Sequence, residues 1–281
     1  MRSTVPLRPG SGDFIALSMV QHRDVLPYLL ALKSFARFMP PKRVVLVADP
    51  TLDGADRALL RQHVPHIEFR EAMEFHRPGI PKGGTWERLT AISEYAARSY
   101  VVQLDADTVA VGALDAVEQA IQECCSFTLG TEDFQEIQRC AEVSAWAKTR
   151  LDGKDHVQLL AECRLAEFDP HGQFRYARGC SGFAGFALNS ITPEKVLHVS
   201  QTMAGLMGDQ WSAWGTEQFS SNLLVCSSPG ARLLPHPAYC APTRIKPHTV
   251  FLHFIGFVRH RTPLYAQLAR HVSRQLSPAR G

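Results

Sequence analysis

Long apolar runs are missing from this 281-residue chain. No stretch approaches the roughly 18 apolar residues that a membrane-spanning helix needs. The N-terminal MRSTVPLRPGSGD is polar, rich in breakers and without a signal-peptide core, so residues 1–12 read as a disordered lead-in. Charge of one sign is missing too. The 30 basic and 27 acidic residues leave a net charge of +3, which gives no ground for nucleic-acid or membrane-surface binding. A local basic site for a phosphorylated ligand stays open. There is no Cys-x-x-Cys pair, and the seven cysteines are scattered apart from adjacent Cys124 and Cys125. Zinc and dithiol chemistry therefore lack a motif, and the thiols read as reduced and mostly buried. Repeats, low-complexity tracts and a convincing linker are absent as well. With 45% hydrophobic and 20% charged residues, the expectation is one soluble, cytoplasmic domain over 13–281.

What is present is an alternation of strands and helices. Residues 14–20 (FIALSMV) and 44–48 (VVLVA) are short apolar runs suited to buried strands. Between them Asp24 reads as an N-cap, and Val25, Leu29, Leu32, Ala36 and Met39 follow at helical spacing until Pro40 and Pro41 stop the helix. A polar helix is expected over 53–63, a short strand at 67–69, a helix from Thr85 and a strand at 100–104 (YVVQL). In the second half, 126–129 reads as a strand, 135–165 as polar helix, 193 onward as helix and 249–254 as strand-like. Strands alternating with helices predict an α/β fold, a mostly parallel sheet covered on both faces. Such sheets bind ligands at the carboxyl ends of their strands.

Asp105-Ala106-Asp107 falls at such an end. Two carboxylates one residue apart, just past a strand, can both reach a hard divalent cation. Thirteen aspartates in the chain would give roughly 0.6 such pairs by chance, so the bare motif is weak and its position after a buried strand is what strengthens it. The competing reading is a pair of solvated loop acids.

The segment ERLTAISEYAARSYVVQLDADTVAVGAL (87–114) resembles the core of GT-A fold glycosyltransferases, most closely the family 8 group of glycogenin and the bacterial galactosyltransferases. Three further segments are similar to that family in the same order. They are ALSMVQHRDVLPYLLALKSF (16–35), EQFSSN (217–222) and HFIGFVR (253–259). The resemblance implies a single GT-A domain with a Rossmann-like nucleotide-sugar-binding half (13–114), an irregular acceptor and metal-completing half (115–262) and a C-terminal helix or tail (263–281). It implies that Ala16, Leu17 and Ser18 lie near the nucleotide and that Arg88 contacts the donor. Asp105 and Asp107 would hold the metal with His253 as third ligand, and Ala106 between them would join the donor contacts. Gly256 and Arg259 would meet the diphosphate, and Gln218 and Glu217 would lie near the anomeric carbon. Mixed oxygen and imidazole ligation favours Mn²⁺, with Mg²⁺ as the alternative.

The sequence departs from the family at several points. Glutamate replaces aspartate at 217, arginine replaces lysine at 259, and Arg261 stands where the family has tryptophan. Cys180-Ser181-Gly182 replaces the family's Asn-Ser-Gly. Lys82, beside Gly83 and Gly84 and just before Trp86, offers a turn that could take a phosphate or could equally be a solvated loop. Glu132 and Asp133 follow a strand and could face the same cleft.

The expected reaction is metal-dependent transfer of a hexosyl group from a nucleotide-sugar, by resemblance a UDP-sugar, with retention of configuration. The acceptor, a sugar, protein or lipid-linked group, is not specified, and no nucleic-acid partner is expected. One rival is a non-catalytic nucleotide-sugar-binding module. Another is a haloacid-dehalogenase-type phosphatase, which normally carries its Asp-x-Asp on the first strand. A nucleotidyltransferase would want a glycine-rich loop after the first strand, and residues 19–24 contain no glycine.

Overall fold

The computed structural model of the protein describes residues 4–132, 134–153, 155–256 and 258–277. Its strands, in chain order, are β1 Gly12–Val20, β2 Pro41–Ala48, β3 Ile67–Glu71, β4 Tyr100–Leu104, β5 Thr108–Ala110 and β6 Phe127–Leu129. They continue with β7 Gln138–Arg139, β8 Arg175–Tyr176, β9 Cys180–Phe186, β10 Arg232–Leu234, β11 Tyr239–Cys240 and β12 Phe251–His253. Seven form the central sheet, in the order β10-β6-β9-β4-β1-β2-β3. Its pairs are parallel except where β9 runs antiparallel to β4 and β6.

The period-2 pattern of the strands builds two cores. Ala16, Val44, Leu46, Val102 and Leu104 face one side, packed with residues of the helices Val25–Ala36, Gly54–His63 and Asp115–Gln122. Ile15, Leu17, Val45, Val47 and Val101 face the other, against the helices Trp86–Tyr95, Pro193–Met207 and Thr216–Cys226. Leu17, Val45, Val47 and Val101 are wholly buried, each contributing about 1.5–3 kcal/mol. No described helix is long and apolar enough to cross a membrane.

Local chemistry explains where several elements begin. Asp53 caps its helix, accepting from the Asp56 amide at 2.8 Å while Asp56 accepts from the Asp53 amide at 3.2 Å. Thr192 caps the helix Pro193–Met207, whose first residue is proline. Asp24 stands before the helix Val25–Ala36 without capping it. That helix ends short of Met39, as the amides of Phe38 and Met39 both turn back to the Phe35 carbonyl. The segment expected to be helical over 135–165 is broken into β7 and the helices Cys140–Lys148, Val157–Cys163 and Leu165–Phe168. The Asp155 carboxylate accepts the amides of Asp152 and Gly153, folding a turn, and His156 Nδ1 accepts the Gln158 amide to start a new helix.

The lead-in departs from its expected disorder. The amides of Val5, Leu7 and Gly10 donate to the carbonyls of Leu276, His63 and Pro41. Buried Lys33 anchors the same segment, with Nζ 2.8 Å from the Thr4 hydroxyl, 2.6 Å from the Val5 carbonyl and 3.0 Å from His63 Nδ1. Composition misled here because the tie is one buried cation meeting backbone, not an apolar stripe. Burial holds the Lys33 ammonium down to about 8. Lys33→Ala should cost about 1–3 kcal/mol by denaturant unfolding and expose residues 4–11 to proteolysis. Because the unfolded chain keeps the Lys33 proton up to about 10.5, the wild type should gain stability on the variant as pH rises from about 8 to 10.5. A constant difference across that range would contradict this.

Candidate active site

The chain leaves β1 toward β2 and β3 on one side and returns to β4 on the other, so the crevice between β1 and β4 is the sheet's switch point. Asp105 follows β4 directly, its amide donating to the Gly182 carbonyl at 2.8 Å. The Thr108 hydroxyl donates to the Asp105 carbonyl at 2.8 Å and closes the turn. β5 then departs from the main sheet and pairs antiparallel with β12, setting Thr108 opposite His253. The Phe254 amide donates to the Asp107 carbonyl at 2.9 Å. A three-stranded sheet thus delivers a histidine from 146 positions away to the Asp-x-Asp turn.

His253 Nε2 lies 3.0 Å from Asp107 Oδ1 and 4.0 Å from Asp105 Oδ2, while Nδ1 lies 3.3 Å from Cys180 Sγ. One ligand atom from each of Asp105, Asp107 and His253 falls within 4.8 Å of the others. Gly182 makes room for them. A Cβ there would stand 2.1 Å from His253 Cε1 and 2.9 Å from Asp105 Oδ2, so any larger residue would fill the space between the ligands. The Gly256 amide donates to Asp107 Oδ2 at 3.2 Å, with Gly256 in the left-handed region at φ +57°. Burial alone would raise the Asp107 carboxyl, but facing His253 and nearby Arg259 bring it below its ordinary value. Burial alone would lower His253, and Cys180 and Asp107 together lift it well above. Two oxygen donors and an imidazole suit a divalent cation, which would take the place of the shared proton.

Beside this triad, two helix N-termini meet. Thr85 (φ 72°) and Gly215 (φ 110°) sit in left-handed conformations before the helices Trp86–Tyr95 and Thr216–Cys226. Trp86 Nε1 donates to the Thr216 hydroxyl at 3.1 Å across the junction. Arg88 bridges Asp105 Oδ1 and Glu217 Oε2, the latter at 3.1 Å, and the Thr85 hydroxyl donates to Glu217 Oε2 at 2.9 Å. Arg88 and Glu217 are both buried. Glu217 also gains from the positive end of its own helix. Burial nonetheless pushes its carboxyl above the ordinary range despite Arg88. Burial opposes the Arg88 charge as well, yet Asp105 and Glu217 hold the guanidinium above its ordinary value.

A cavity of about 430 Å³ opens over these residues, lined by Arg88, Asp105, Ala106, Asp107, Gln218, His253, Gly256 and Arg259, with Met19, Gln21 and Trp214 at its sides. Adjoining it, a small cavity of about 70 Å³ is lined by Ser181, Glu217 and Gln218. A third of about 440 Å³ lies at the opposite strand ends, near Gly12, Tyr100 and Leu188, and gathers none of the triad.

Other sequence-selected residues fall elsewhere. Ala16 and Leu17 are core side chains, and Ser18 donates to the Leu104 carbonyl at 2.6 Å; all three are buried and line neither site cavity. The β1 end reaches the cleft through Met19 and, past the strand, Gln21. Lys82 is exposed and lines neither cavity, and the Gly83 amide donates to Glu87 Oε1 at 2.8 Å, so that turn is already closed by a carboxylate. Glu132 pairs with Arg244 and lines neither cavity, and Asp133 lies outside the described residues. Arg259 lines the cavity but is engaged by Asp24 at 2.7 Å. Asn222 is structural, its amide donating to the Gly179 carbonyl at 2.9 Å ahead of β9.

Sequence reasoning missed Asp24 as a partner of Arg259, Gly182 as a spacer and Trp214. A tryptophan in the breaker-rich run 208–215 was the available signal for the last; its side chain is 69% exposed at the cavity rim, edge-on to His156 at 5.8 Å.

The sheet order, the Asp-x-Asp turn at the switch point and the second sheet that closes on it define a GT-A fold. The chain superposes on the galactosyltransferase LgtC in complex with donor and acceptor sugar analogues, with TM-score 0.58 and 14% identity over 95% of this chain and 98% of that one. An active-site mutant of LgtC gives 0.55 and 14% over the same shares. The bifunctional glycosyltransferase WbbM in its apo form gives 0.53 and 12%, over 94% of this chain and 53% of that one. No protein-family model and no curated protein matches the sequence. The resemblance to GT-A glycosyltransferases read from 87–114 thus extends to the fold of nearly the whole chain.

Arg88→Ala should lower unfolding stability by about 3–5 kcal/mol, since it strands Glu217 as an uncompensated buried carboxylate. The double variant Arg88→Met with Glu217→Gln should recover a large part of that loss. Equal losses in the single and double variants would show that the ion pair itself sets the cost.

Proposed function

We propose that this protein is a divalent-metal-dependent glycosyltransferase that moves a hexosyl group from a nucleotide-sugar to an acceptor. The observation that carries this reading is the convergence of Asp105, Asp107 and His253 at the switch point of a GT-A sheet, on a cavity of about 430 Å³. LgtC, which shares the fold, is a galactosyltransferase whose structure holds donor and acceptor sugar analogues.

In this reading Asp105, Asp107 and His253 hold Mn²⁺ or Mg²⁺, with the imidazole favouring Mn²⁺. When bound, the ion would neutralise charge developing on the leaving diphosphate. Arg259 adds positive charge at the same end once the diphosphate competes with Asp24 for its guanidinium. Met19 and Gln21 flank the nucleotide, and Arg88 fixes Asp105 rather than reaching the donor freely. Gln218 lines both cavities and stands nearest the place of the anomeric carbon, while buried Glu217 supports it from behind. Exposed Trp214 offers an apolar face to an acceptor sugar ring. A UDP-sugar donor and retention of configuration follow from the family 8 resemblance. A cytoplasmic location is supported by seven cysteines that are all unpaired.

The test is nucleotide release from a panel of nucleotide-sugars, with and without Mn²⁺, for wild type and Asp107→Ala. One donor should give metal-dependent release that falls at least about a hundredfold in the variant. Tight donor binding with no turnover under any acceptor would favour a binding module, and neither binding nor release would end the glycosyltransferase reading. Nuclear magnetic resonance of the product's anomeric centre decides retention, and an inverted centre would refute that part.

A further inference from the structure

A buried polar cluster behind the candidate active site is used by none of the roles above. The helix Val157–Cys163 carries Gln158 and Glu162 one turn apart, both buried. Glu162 Oε2 accepts from Arg178 at 2.6 Å. Glu162 Oε1 accepts from the Tyr176 hydroxyl at 2.8 Å and from Gln158 Nε2 at 3.2 Å. Gln158 Nε2 also lies 3.3 Å from the Tyr176 oxygen. At the other end of the same side chain, Gln158 Oε1 accepts from Gln218 Nε2 at 2.8 Å. Gln218 Oε1 is left on the cavity side, where the Cys180 thiol approaches at 3.3 Å.

An amide can face a partner with its NH₂ or with its oxygen, but an ionised carboxylate can only accept. The chain of bonds therefore has a direction. Glu162 obliges Gln158 to turn its NH₂ inward, which turns the Gln158 oxygen toward Gln218. That oxygen in turn takes the Gln218 NH₂ and leaves the Gln218 oxygen facing the cavity. We propose that Glu162, acting through Gln158, is a positioning residue that fixes which end of the Gln218 amide the reacting sugar meets. A protonated Glu162 supplies a donor of its own, permits both amides to reverse, and presents the Gln218 NH₂ to the cavity instead. An oxygen facing an electron-poor anomeric carbon stabilises it, and an N–H does not. The catalytic consequence rests on the glycosyltransferase reading; the amide orientation does not.

The electrostatics put this switch within reach. Burial pushes the Glu162 carboxyl up to about 7, against the pull of Arg178, Tyr176 and Gln158. Arg178 and Tyr176 act on it directly, and Glu162 in turn acts on the neighbouring Cys163 thiol, which also feels Asp155 and Arg164; Arg178 further acts on His156. Lys148, on the neighbouring helix Cys140–Lys148, acts on Cys163. The helix Thr216–Cys226 contributes neutral Gln218 and the Phe219 ring, 5.3 Å from that of Tyr176.

The test follows the Gln218 side-chain amide in the full-length protein by ¹⁵N nuclear magnetic resonance, its signal identified by loss in Gln218→Leu. From pH 6 to 8.5 the wild-type signal should shift with a midpoint near that of the Glu162 carboxyl carbon. In Gln158→Met the carboxyl should still titrate while the Gln218 amide stays still, and Glu162→Gln should remove the shift altogether. A Gln218 amide that ignores Glu162 titration in wild type, or follows it equally in Gln158→Met, would overturn the proposal. In donor hydrolysis at saturating Mn²⁺, the fall in rate from pH 8.5 to 6 should be roughly tenfold larger in wild type than in Gln158→Met, as the ionised fraction of Glu162 drops by about that much. A protein with no donor turnover would sink the function proposed above and leave the amide measurement to decide this one.

Discussion

The antiparallel pairing of β5 with β12 is the contact on which the site depends. Asp105 and Asp107 are placed by the main sheet, but a cation needs more than two neighbouring carboxylates. The third candidate ligand, His253, arrives only because Thr108 lies opposite it and the Phe254 amide closes on the Asp107 carbonyl. Those bonds are backbone bonds in a short ladder, so side-chain changes nearby alter the ligands without moving the frame. Gly182 completes the arrangement from the other side, its missing side chain leaving the space into which His253 and Asp105 reach.

Charge is managed around the triad in layers. Arg88 ties Asp105 to the first turn of the helix Thr216–Cys226 through Glu217. Asp24 does the same for Arg259, holding a cation at the cavity edge until something more negative competes for it. Behind both, Glu162 and Arg178 form a further buried pair whose bonds lead through Gln158 to Gln218. Each pair is costly to bury alone, and each ends on a group that lines the cavity. The charges of such a site are paired and aimed before any ligand arrives, as electrostatic preorganisation requires.

Much of the fold was legible because periodicity and punctuation agree. The runs at 14–20, 44–48 and 100–104 are strands, and the helices expected at 53–63 and from 193 are found, though the N-cap read at Asp24 makes no capping bond. The Asp-x-Asp turn and His253 were legible through family resemblance, and the geometry that unites them was not, because a ladder joining residues 108 and 253 leaves no local trace. Lys82 stays open in the sequence between a phosphate turn and a solvated loop, because the sequence does not show that the Glu87 carboxylate already takes the Gly83 amide. Ala16, Leu17 and Ser18 come from the resemblance alone; their side chains are buried in the sheet, and the strand read to Val20 meets the cavity through Met19 and the following Gln21. Beyond Gln218, the Glu162 relay had no sequence signal, since Gln158 and Glu162 look like ordinary polar helix residues and lie far from Gln218 along the chain.

The most direct test of the central claim is electron paramagnetic resonance of Mn²⁺ bound to the protein with a nucleoside diphosphate, read for couplings from ligand nuclei. The account predicts coupling to one imidazole nitrogen that disappears in His253→Ala, together with ³¹P coupling from the diphosphate. Bound Mn²⁺ whose nitrogen coupling is absent, or persists unchanged in His253→Ala, would contradict it.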